Sequence, residues 1–125
     1  MLKSLIALGE RDAFLIVTPL NTAVIKGTEL SIVCSTNTTN TTIKPIWRTQ
    51  LDQIPDDSTL FDGKEFVGQF ARHYKLREDV GPGVSLVMNA TEETSRRYTC
   101  EEPGYQSASA ELIVLGMHRY SKLLV

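Results

Sequence analysis

The chain has 125 residues, a formal charge of −2 and 42% hydrophobic residues, which suits a single domain able to bury its own core. A charge this close to zero and a pI near 5.7 give nucleic acid and anionic membrane surfaces no electrostatic footing as partners. Its longest apolar runs fall far short of the ~18 residues that span a bilayer, so no direct membrane insertion is expected within this chain.

Residues 1–13 read as an N-terminal extension, because Leu5, Ile6, Ala7 and Leu8 after Lys3 make a stretch too short for the hydrophobic region of a signal peptide. Residues 14–18 predict a first strand stopped by Pro19, and 22–26 its continuation along a sheet edge, where a nearby proline is tolerated. The period-two alternation of Leu30, Ile32 and Cys34 predicts a strand over 29–35 with all three side chains on one face. The polar run 36–44 predicts a loop and 46–51 a strand around Trp47. The link 52–57, with Pro55 and its aspartates, is turn-rich, with room for one short strand. Over 66–76 the even positions Phe66, Gly68, Phe70, Arg72, Tyr74 and Leu76 alternate with mostly polar neighbours, predicting one half-buried strand. Gly81, Pro82 and Gly83 break the chain before a strand at 84–88. Residues 89–97 then connect into a strand carrying Tyr98 and Cys100. Glu102, Pro103, Gly104 and Tyr105 form a tight tip, and Ala110, Leu112 and Val114 alternate along a last strand. Residues 116–125 form a tail with no clear period.

Taken together, Gly27, Leu30, Ile32, Cys34, Trp47, Leu86, Met88, Tyr98 and Cys100 resemble the pattern of the immunoglobulin superfamily over residues 14–115. The resemblance implies an all-β, immunoglobulin-like sandwich of two antiparallel sheets with one inter-sheet disulfide, Cys34 to Cys100. Trp47 would fill the core beside that bridge, with Leu86 in the same core, and the Tyr98 phenol would bond back to the corner of the preceding connection. The cysteines stand 66 positions apart, which looks like the longer variable-type (V-set) or intermediate-type (I-set) domain. Gln50, three residues after Trp47, matches a glutamine common in the variable type. The chain departs from the family at Thr94 and Arg96, where members usually carry Asp and Gly. Arg72 therefore lacks the usual aspartate, and Glu92 or Glu93 are the candidates to replace it. The last strand also lacks the Phe-Gly-x-Gly of antigen-receptor joining segments, so a rearranging receptor is not implied.

A well-spaced cysteine pair with no thiol left over fits an oxidising, extracellular or luminal compartment. The glycosylation sequons beginning at Asn37, Asn40 and Asn89 agree with it. An enzyme has little to stand on. His73 and His118 have no ligand-forming neighbours at metal spacing, no serine lies in a Gly-x-Ser-x-Gly elbow, and neither metal nor cofactor is expected. What remains is binding. With Trp47 and Cys100 turned inward, alternation turns Arg48, Gln50 and Glu101 outward, with Tyr105 at the rim, on the face that the family builds from its strands G, F, C and C′. The expected function is an extracellular recognition domain of a cell-surface receptor or adhesion molecule that binds a protein ligand or receptor through that face. A second copy of the chain is one such partner, since the Gln50 amide can both donate and accept across a two-fold axis. The alternative is a secreted, soluble immune-type effector or decoy that binds glycans or microbial and other foreign surfaces. The basic run Arg72, His73, Lys75 and Arg77 is the cluster that could attract a sulfated glycan, and Glu78 and Asp79 offset it.

Overall fold

A computed structural model describes residues 13–37, 43–51, 57–80 and 83–116. The expected extension up to residue 12, the tail over 117–125, Asn40 and the link 52–56 fall outside the described residues.

Nine strands follow one another among the described residues: β1 (Leu15–Thr18), β2 (Asn21–Ile25), β3 (Glu29–Thr36), β4 (Ile46–Leu51), β5 (Asp57–Phe61), β6 (Tyr74–Val80), β7 (Gly83–Asn89), β8 (Arg96–Glu101) and β9 (Ala108–Leu115). They form one sheet of four strands in the order β1-β3-β7-β6 and one of five in the order β2-β9-β8-β4-β5. The Cys34–Cys100 disulfide joins β3 of the first sheet to β8 of the second, with the two Cα atoms 6.4 Å apart. This strand order and inter-sheet bridge are those of an immunoglobulin-like sandwich.

Strict alternation sets the core. Leu15 and Val17 on β1, Ile32 and Cys34 on β3, Leu86 and Met88 on β7, Tyr98 and Cys100 on β8, and Ala110 and Leu112 on β9 are all buried, as period two on facing sheets requires. Trp47 on β4 is fully buried and stands directly beside Cys100 in the β4–β8 register, so the largest ring fills the space next to the bridge.

Two expectations need correction. The sheets are not both antiparallel: β2 runs parallel to β9, from Asn21 beside Glu111 to Ile25 beside Leu115. β1 pairs antiparallel with β3, but Pro19 has no N–H to continue that ladder. The chain crosses to the other sheet without reversing and so meets β9 heading the same way.

Nor is 66–76 one strand. Phe66 makes an isolated bridge to Phe61, Gly68–Arg72 is a 3-10 helix, and β6 begins only at Tyr74. Gly68 sits at φ 57°, a left-handed conformation that ends an extended run, and the Phe70 N–H then closes a turn onto Val67 O at 3.1 Å. Phe66, Phe70 and Tyr74 lie four residues apart, a spacing that satisfies both period two and one turn of helix. The fold uses it to gather rings. Phe66 lies 5.0 Å from Phe61, and Tyr74 lies about 6 Å from Phe66, Phe70 and Tyr98.

That aromatic group closes the end of the sandwich where the family usually places its arginine and aspartate. The Tyr98 hydroxyl donates to Thr94 O at 2.7 Å, as the resemblance implied. Because that uses its only hydrogen, the buried Tyr74 hydroxyl, 2.7 Å away, must be the donor to Tyr98. Arg96 lays its guanidinium over the Phe70 ring at 5.3 Å and donates through Nε to Glu93 O. Thr94 is fully buried. Its Oγ1 accepts from Thr91 N at 2.8 Å and, as donor, lies 3.0 Å from Asn89 O and 3.1 Å from Thr91 O. A link from Arg72 is therefore not what organises this end: a tyrosine pair does, over a 3-10 helix, Glu92–Thr94.

Candidate interaction face

The outer face of the five-stranded sheet is assembled by register. Arg48 stands beside Thr99 on β8 and Thr59 on β5, and Gln50 beside Arg97. Thr99 is in turn beside Ser109, and Arg97 beside Glu111. Since Trp47, Thr49, Tyr98 and Cys100 point inward and are buried, their neighbours all face out. Arg48 Nε lies 4.0 Å from Glu101 Oε2, with side chains 31% and 44% exposed. A pair this exposed contributes little to stability. Thr99 and Ser109 join hydroxyls at 2.8 Å, while Thr49, on the inner side, donates to Arg97 O at 3.1 Å and fixes β8 against β4.

Three of the expected residues, Arg48, Gln50 and Glu101, thus share one surface. Tyr105 belongs to the tip between β8 and β9, where its N–H donates to Glu102 O at 3.1 Å and Gly104 supplies the positive φ of 88° that the turn needs. Its half-buried ring packs against the core cluster, so part of it is committed to the fold.

Sequence reasoning missed a second part of the same sheet. Its β2–β9 edge exposes Leu20 (65%), Ile25 (58%), Ile113 (49%) and Leu115 (46%), and the register brings Ile113 against Ala23 and Leu115 against Ile25. The signal was available: once Ala110, Leu112 and Val114 are assigned inward, alternation turns Ile113 and Leu115 outward.

No protein-family model matches this chain, and no curated protein matches it. The fold assignment therefore stands on strand order, register and the bridge. Among the described residues no group of three or more His, Cys, Asp or Glu side chains converges to hold a metal, and no helix is long and apolar enough to cross a membrane. Of the sequons, Asn89 is exposed at the end of β7. Asn37 is exposed as well, with its Oδ1 accepting from Phe14 N at 3.0 Å.

Proposed function

We propose that this domain is an extracellular recognition module of a receptor or adhesion molecule and that it binds a protein partner through the outer face of the five-stranded sheet. The observation that carries the reading is the concentration of exposed apolar side chains there. Of the seven large hydrophobic residues exposed among those described, Leu20, Ile25, Ile113 and Leu115 gather at the β2–β9 edge, beside the polar surface of Arg48, Gln50 and Glu101. An apolar patch continuous with polar, charge-bearing surface is the composition of a contact area. The buried disulfide and the exposed Asn89 and Asn37 side chains, each the first residue of a sequon, support an oxidising, extracellular setting.

Membership of the immunoglobulin superfamily, in its intermediate rather than its variable type, is supported by the strand inventory. β1 and β2 divide between the two sheets, and no strand lies between β5 and β6 among the described residues.

Tagged domain captures cell-surface proteins in the test, with Gln50→Arg, Ile113→Asp and Tyr105→Ala against Lys75→Ala on the other sheet. The first three should lose the partner, and Lys75→Ala should keep it. Equal capture by all four variants refutes the face. Sedimentation across a concentration series tests whether the partner is a second copy, and an unchanged monomer mass to high micromolar concentration rules that out.

A further inference from the structure

On the flank where β5 and β6 end their separate sheets, a cleft of about 680 Å3 enters the sandwich, within the ~300–1,000 Å3 typical of small-molecule sites. Its floor is apolar: Ile43, Phe61 and Val84 are buried, and Phe66 and Leu76 are half-buried. Its mouth is charged on both sides. Lys44 and Lys64 lie on one wall with Glu65, and Glu78 stands on β6 opposite.

The wall with the lysines is preformed. Gly63 takes φ 99°, and a Cβ added there would meet Lys44 O at an ordinary contact distance of 4.0 Å, so the turn after β5 packs against the segment leading into β4. The Asp62 carboxylate accepts from Lys64 N at 2.8 Å and Glu65 N at 2.9 Å. Those bonds, Glu65 first, hold its carboxyl below the usual range. The turn thus holds Lys64 in the same wall as Lys44. Lys44 and Lys64 outnumber Glu65 on their wall, so an anionic group meets net attraction there and repulsion from Glu78, and a cationic group meets the reverse. A head carrying both charges is attracted by both walls.

We infer that this cleft binds a single-chain zwitterionic amphiphile, its tail against Phe61, Phe66 and Leu76, its phosphate toward Lys44 and Lys64 and its quaternary ammonium toward Glu78. The site lies away from the outer sheet face and is independent of the protein contact proposed there.

The test titrates the full chain with dodecylphosphocholine below its micelle concentration. Dodecanoate and dodecyltrimethylammonium serve as single-charge comparators, and binding is followed by backbone amide shifts. Saturable shifts centred on residues 61–66, 76–78 and 84 are expected, with the zwitterion binding at least about tenfold more tightly than either comparator. Lys64→Glu should weaken the zwitterion about tenfold, and Glu78→Lys should weaken it while tightening dodecanoate. Both positions are exposed, so these variants remain folded even if a cleft-filling Leu76→Trp does not. Shifts centred instead on Ile25, Ile113 and Leu115, equal affinity for all three probes, or indifference to both charge reversals overturns the assignment. Because none of these residues lies on the sheet face, failure here leaves the protein-contact reading to its own test.

Discussion

Replacing Tyr98 with Phe keeps the ring in the core and removes one oxygen, and the direction of the hydroxyl chain sets the cost. Tyr98 donates to Thr94 O at 2.7 Å and accepts from Tyr74 at 2.7 Å, so its loss leaves a buried carbonyl and a buried O–H unpaired at once. Each of the two stranded groups costs ~1–3 kcal/mol, giving a loss of roughly 2–6 kcal/mol. Tyr74→Phe removes only a donor from an oxygen whose own donation to Thr94 survives, and should cost ~1 kcal/mol. Urea denaturation of the oxidised protein, followed by Trp47 fluorescence, separates the two. If Tyr74→Phe destabilises as much as Tyr98→Phe, or if Tyr98→Phe costs under about 1 kcal/mol, the proposed direction of the chain is wrong.

The same phenols predict an alkaline transition. Burial pushes Tyr74 up to about 12 and Tyr98 upward as well, reinforced by Tyr74 beside it, whereas both titrate near 10 when unfolded. Stability should stay level below pH 10 and fall from there toward pH 12, by up to ~1.4 kcal/mol per pH unit for each phenol. Urea midpoints that do not move between pH 9 and 12 contradict this. Thr94→Asp, which the family pattern suggests as an improvement, should instead cost roughly 2–4 kcal/mol, because a buried carboxylate would face Asn89 O and Thr91 O with no proton to give; chemical denaturation decides the sign. Cys34→Ala with Cys100→Ala removes a closure of 66 residues worth ~4 kcal/mol in the chain-entropy description, and calorimetry should find the variant unfolded or nearly so.

What could be read from the sequence was whatever depends on one strand at a time. Leu30, Ile32 and Cys34, or Ala110, Leu112 and Val114, declare their inward face by alternation alone, and Arg48, Gln50 and Glu101 follow as its complement. Phe66, Phe70 and Tyr74 could not be read, because four-residue spacing fits two periods and only the Gly68 backbone decides between them. The parallel pairing of β2 with β9 joins residues some ninety positions apart, and no local pattern encodes it. The cleft was hidden for the same reason: its walls come from the approach to β4, the end of β5 with its following turn, β6 and the start of β7, which touch only after folding.

The beginning and end of the fold meet along one parallel seam, β2 with β9, with an isolated parallel bridge from Phe14 to Gln106 beside it. Tension applied before β1 and after β9 draws those strands past each other along their own length. Every bond in the seam then resists together, whereas a peeled hairpin gives way one bond at a time. The bridge from Cys34 to Cys100 lies inside that seam, so strands that slip at its outer side cannot draw out the residues it encloses. A domain gripped by a partner on its face can therefore carry load end to end with its core still shut.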